Sequence, residues 1–122
     1  IRARELLGAS LDEVEVTSHA GSAPPLACLN DGLQVATGAS LGRGTIQVGE
    51  KAPRVAAAFT SGGNTVELRL RDDVIGRIRA DIQRAIQEHG DLTPSYFARV
   101  RQLALEYWEE LDRDRVFVEH GP

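Results

Sequence analysis

Residues 55–89 read VAAAFTSGGNTVELRLRDDVIGRIRADIQRAIQEH, and the hydrophobic period changes partway through them. Val55 to Thr60 is an apolar run that reads as a strand. Ser61-Gly62-Gly63-Asn64 signals a hairpin, because glycine supplies the positive φ angles of a two-residue turn at no steric cost. Thr65 to Arg71 alternates, with Val66, Leu68 and Leu70 on one side and Glu67, Arg69 and Arg71 on the other. From Asp72 to His89 the spacing becomes helical, gathering Val74, Ile75, Ile78, Ile82, Ala85 and Ile86 on one face. Asp72 or Asp73 is expected to cap this helix, and Gly90 to end it.

Downstream, Thr93-Pro94 is a second helix start, a capping hydroxyl before a proline at the first helical position. That helix is expected to run to about Asp112 and to bury Phe97, Val100, Leu103, Ala104, Trp108 and Leu111. Arg115 to Glu119 reads as extended, and His120 as part of a loose end. Upstream, Ile1 to Gly8 resembles the tail of a helix stopped by glycine. Leu11 to Thr17 ends in alternation, with Val14 and Val16 on one side. Thr17 to Pro25 is expected to be a loop, since Pro24-Pro25 excludes helix interior and central strand. A short helix from Leu26 or Ala27 to Gly38 and a strand Thr45–Val48 follow, and Pro53 interrupts. A group of strands followed by two helices is an α+β pattern: a largely antiparallel sheet with helices packed on one face, in a single domain spanning residues 1–122.

The totals agree with one globular domain. The chain has 122 residues, 42% of them hydrophobic and 26% charged. A net charge of -4 with interspersed signs argues against nucleic acid as a partner. No apolar run reaches the length needed to cross a bilayer, so no membrane partner is expected. One cysteine makes no internal disulfide, and a cytoplasmic protein is the expectation. The chain opens inside a helix without a methionine, so an N-terminal truncation is expected, and with it loss of any export signal.

Chemistry concentrates in residues 19–48, HAGSAPPLACLNDGLQVATGASLGRGTIQV. Cys28 falls at or near a helix start, where the helix dipole favours thiolate. A lone cysteine is also commonly a small buried hydrophobe. His19, nine residues earlier across a loop, could join Cys28 in soft-metal ligation or act as base to a cysteine nucleophile. No Cys-x-x-Cys or His-x-x-x-His accompanies them. Asp31 and Gln34 lie nearly on one helix face, as do Asn30, Gln34 and Thr37. They form either a solvated face or the polar wall of a pocket beside Cys28. Gly42, Arg43 and Gly44 close a turn that could offer N–H groups and a positive charge to an anion, or simply allow close backbone approach. The turn lacks the Walker spacing and the dinucleotide-binding spacing.

The run Cys28-Leu-Asn-Asp31-Gly32-Leu33-Gln34-Val-Ala-Thr37-Gly38-Ala-Ser40-Leu-Gly42-Arg43-Gly44 resembles the signature of the FmdE family, named for formylmethanofuran dehydrogenase. The resemblance covers about residues 1 to 80. It implies an α+β domain, often dimeric, with metal near a histidine and cysteine cluster. The family takes its name from an operon of one-carbon metabolism. Carried over to this chain, it implies Cys28, Asp31, Gln34 and Thr37 as pocket residues and Cys28 as metal ligand. His19 joins it by sequence proximity. Zinc is the expected metal, with nickel or iron as alternatives, and a homodimer and a small-molecule ligand are expected partners. Two departures stand out: the family's second cysteine falls at Ala39, and its N-terminal His-Gly-His motif has no counterpart here. The alternatives are a dimeric assembly module without chemistry and a metal-free enzyme using Cys28 as nucleophile.

Overall fold

The computed structural model describes residues 1–22, 28–50 and 56–121, with Cys28 described by its main chain only. The expected helix start at Leu26 or Ala27, Pro24-Pro25, Pro53 and Val55 lie outside the described residues. In chain order the elements are α1 (Arg2–Leu7), β1 (Glu15–Ser18), α2 (Cys28–Thr37), β2 (Ile46–Val48), β3 (Ala56–Ser61), β4 (Asn64–Leu70), α3 (Asp72–His89), α4 (Pro94–Glu110), a 3-10 turn (Arg113–Arg115) and β5 (Phe117–His120). This is an α+β fold with one mostly antiparallel sheet. No helix among the described residues is long and apolar enough to cross a membrane.

The sheet has the order β2-β1-β3-β4-β5. β3 pairs antiparallel with both β1 and β4, whereas β1 and β2 run parallel. Parallel neighbours cannot be joined by a tight turn, and α2 lies in the connection between them. Ile46, Val16, Phe59 and Val66 stand opposite one another across four strands, and all are buried. Removing side chains of this size from water contributes about 1.5–3 kcal/mol each. The next row on the same face holds Val48, Ser18, Ala57 and Leu68. Ser18 is thus a hydroxyl set into an apolar layer, and it is fully buried. β1 includes Thr17 and Ser18, which the local sequence pattern assigns to a loop.

The expected hairpin is present. Ser61 pairs with Asn64 across Gly62 and Gly63, whose φ angles of 58° and 80° are those a two-residue turn requires. α1 ends as expected at Gly8, which adopts the left-handed conformation. Two capping and boundary expectations differ. Arg71, not Asp72 or Asp73, occupies the cap position of α3, without a side-chain capping bond. The two aspartates stand instead in the first turn, where the dipole favours negative charge. Arg71 donates to the Asp73 carboxylate and holds it below the usual carboxylate range. α4 ends at Glu110 and the chain then turns, so β5 begins at Phe117 rather than Arg115, and His120 closes a strand.

The chain divides into two compact units, residues 1–69 with 118–122, and residues 70–117. The first holds the sheet core described above. In the second, α3 and α4 bury Val74, Ile75, Ala85, Tyr96 and Leu103. A polar clamp joins the two helices: Tyr107 donates to Asp81 at 2.7 Å, and Arg77 reaches Glu110 at 2.6 Å while lying over the Tyr107 ring. Burial, followed by the bond to Asp81 and that carboxylate's charge, pushes the Tyr107 phenol well above its ordinary range. The expected inner stripe of α4 is corrected here. Phe97, Ala104 and Trp108 are exposed, and the helix buries Tyr96 and Leu103. Leu103 is buried as expected, and the inner side shifts toward Tyr107, whose apolar body packs inward while its hydroxyl is met by Asp81.

Candidate functional site

The site assembles where α2 begins, against the end of β1. Alternation along β1 aims Val14, Val16 and Ser18 inward. A hydroxyl there has to find a partner, because an unmet buried polar group costs about 1–3 kcal/mol. Asn30, in the first turn of α2, meets it. Ser18 Oγ donates to Asn30 Oδ1 at 2.5 Å, and Asn30 Nδ2 donates to the Gly21 carbonyl at 3.0 Å. Ser18 Oγ also accepts the N–H of Ala20 at 3.2 Å. One amide side chain therefore fastens the helix that starts at Cys28 to the chain segment 18–21. Ser18 and Gly21 do not stand out in the sequence. A polar residue in the inward position of an alternating strand is the available signal.

His19 follows Ser18 directly and is half-buried. Its main-chain N–H donates to the Ala56 carbonyl at 3.0 Å. Its ring packs against Gly49, where a methyl group would sit 3.3 Å from Nδ1. Gly49 is held by its own N–H to the Ser18 carbonyl at 2.8 Å. The imidazole thus lies against the anchored segment that follows β2. Cys28 is the first residue of α2, two positions before Asn30.

The remaining polar side chains of α2 are bonded back to the fold, with one exception. Thr37 is only 1% exposed. Its hydroxyl donates to the Leu33 carbonyl at 2.6 Å and accepts the Ala39 N–H at 3.1 Å. Gln34 Oε1 accepts the N–H of Leu41 at 3.3 Å. The exception is Asp31, which is exposed. The C-terminal end of α2 is tied to residues 9–12 as well: Asp12 donates its N–H to the Thr37 carbonyl at 2.9 Å, and Arg4 reaches the Ala36 carbonyl at 3.4 Å.

The glycine-rich turn closes on itself. The Gly44 N–H donates to Leu41, the Thr45 N–H to Ser40, and the Arg43 N–H to the Ser40 hydroxyl. Gly42 and Gly44 are exposed, and Gly44 has a φ of 70°. Arg43 turns back over the loop, pairing with Asp12 at 3.0 Å and donating to the Gly38 carbonyl at 3.3 Å. The N–H groups of Arg43, Gly44 and Thr45 are thus bonded within the turn, and the Arg43 cation is matched by a carboxylate.

The donor chemistry of a thiol and an imidazole suits zinc, but it amounts to two ligands. Among the described residues no group of three or more His, Cys, Asp or Glu side chains is placed to hold a metal ion. The described side chains do not complete a metal centre on their own.

A comparison with curated proteins gave no match. The family model described as "FmdE, Molybdenum formylmethanofuran dehydrogenase operon" matches residues 2–115. The matched span runs from α1 through the 3-10 turn and takes in β1, α2 and the glycine turn that together build the site. The chain belongs to the FmdE family, whose description refers to the operon of an enzyme of one-carbon metabolism.

Proposed function

We propose that this FmdE-family chain is a metal-binding domain serving one-carbon metabolism, with Cys28 and His19 contributing ligands. The observation that supports the reading is the Asn30 tie. A helix that begins with a cysteine is pinned by its first turn to the segment that carries His19. Anchoring of this kind suits a site whose donors come from two separate elements, because it fixes their approach before any ligand arrives. Zinc is the metal that a mixed sulfur and nitrogen set favours, and bound there it would supply Lewis acidity to a small substrate. Asp31, exposed in the first turn of α2, would be free to reach such a ligand. Asn30, Gln34, Thr37 and Arg43 act on the site by holding its walls in place.

The test is metal content by mass spectrometry of the protein after dialysis. The wild type is expected to retain about one equivalent, Cys28→Ser to fall to background, and His19→Ala to lose most of its metal. A wild type without metal above background, or a Cys28→Ser protein that keeps its full complement, overturns the proposal.

A further inference from the structure

One face of the sheet carries the apolar rows of the core. The other sets small residues between polar and charged ones. Arg69 on β4 pairs with Ala56 on β3, and Ala56 accepts the main-chain N–H of His19 at 3.0 Å. Ser18 and Leu68 face the core, so alternation puts His19, Ala56 and Arg69 in one row on the opposite side. The next row holds Thr17, Ala58 and Glu67. All six residues are half-buried. The first row follows the rim of the sheet, just past the end of β1, where the segment 18–21 is pinned by Asn30.

Arg69 stands apart in this row. Its Nε is shielded from solvent and has no hydrogen-bond partner, and neither Arg69 nor Glu67 has an ion-pair partner among the described residues. A desolvated donor on a cation is costly to leave unmet. Two inter-strand spacings, about 10 Å, separate the main chains at His19 and Arg69, and only the Ala56 methyl group stands between them. We propose that Arg69 is an anion-binding residue of the functional site, and that its ligand is the carboxylate of a small organic acid seated over Ala56 between Arg69 and His19. The Nε–H and one Nη–H of a guanidinium form a parallel fork that a carboxylate accepts with both oxygens. Glu67 lies two residues from Arg69 on the same face, about 7 Å along the strand, and its charge disfavours a dianion such as phosphate more than a monoanion. The inference deepens the function proposed above and rests on it in one respect, that His19 belongs to the site.

The experiment follows the Arg69 Nε–H signal of isotope-labelled protein by nuclear magnetic resonance during titration with sodium acetate, with metal content measured on the same samples. The wild type is expected to show a saturable downfield shift at Arg69. Arg69→Gln should weaken acetate binding, read from the main-chain signals of Ala56 and Ala58, by about tenfold or more. Arg69→Lys keeps the charge without the fork and should fall between the two. Circular dichroism checks that both variants fold, and both should keep the metal content of the wild type, since Cys28 and His19 are untouched. No saturable shift at Arg69 in the wild type, an Arg69→Gln protein that binds acetate as the wild type does, or inorganic phosphate bound as tightly as acetate overturns the inference. A wild type that lacks metal while Arg69 still responds to acetate overturns the metal reading and upholds this one.

Discussion

Gly38→Ala should destabilise the chain far more than the same change at Gly62, and the difference measures one contact. Both glycines have positive φ, 75° and 58°. At Gly62 an added methyl group meets nothing within 4 Å, so the cost is the left-handed conformation itself, about 1–2 kcal/mol. At Gly38 the methyl group would lie 2.1 Å from Asp12 Oδ1 and 2.8 Å from Asp12 N. The first overlap is relieved by rotating the carboxylate, which gives up the half-exposed pair with Arg43, worth about 0–1 kcal/mol. The second is with main chain, and Asp12 N cannot retreat without stretching its bond to the Thr37 carbonyl. Overpacking of that kind costs about 1–3 kcal/mol. The total for Gly38→Ala is therefore roughly 2–6 kcal/mol, with a mid-range excess of about 2 kcal/mol over Gly62→Ala. With a urea dependence of about 2 kcal/mol/M, the unfolding midpoint of Gly38→Ala should fall about 1 M below that of Gly62→Ala, read by far-ultraviolet circular dichroism. Equal midpoints for the two variants would refute the claim that the loop at Asp12 and the end of α2 are locked together through this glycine.

Asn30→Ala should cost about 1–3 kcal/mol in urea unfolding, because it withdraws a partner from the fully buried Ser18 hydroxyl; in a double-mutant cycle, Ser18→Ala and Asn30→Ala should couple by about 0.5–3 kcal/mol, and strict additivity would deny the tie. Tyr107 titrates above its ordinary range in the fold, so the folded state holds that proton longer than the unfolded chain. The stability it contributes is complete below about pH 10 and is lost as pH rises toward the folded-state value. Tyr107→Phe should remove that alkaline decline from the pH dependence of urea stability, and an unchanged decline would place its origin elsewhere.

Local signals carried much of this fold. The hairpin was readable because Gly62 and Gly63 are required by the turn itself, and β4 because Val66 and Leu68 alternate without interruption. The parallel pairing of β1 with β2 was not readable, since Val16 and Ile46 meet through a connection that no local pattern encodes. The helical period of α4 was clear, but it fixes only that a stripe exists. Which stripe is buried was decided by Asp81 and Arg77 on another helix. At the site, residue types pointed to a polar neighbourhood and understated how much of it is structural. Thr37 and Gln34 have the chemistry of ligands, but their hydrogen bonds go to Leu33, Ala39 and Leu41. Periodicity reports where a side chain sits on its own helix; it does not report which nearby amide claims it.

The sheet ends on one side with β2, three residues long, and on the other with β5, four residues ending in Glu119 and His120. Strands this brief offer few free main-chain groups for another molecule to zip onto, and the charged tip of β5 discourages it further. The protein can therefore carry a sticky helix surface without courting fibril growth. Any association is steered toward side-chain recognition, which stops at a defined number of copies, and away from backbone templating, which does not.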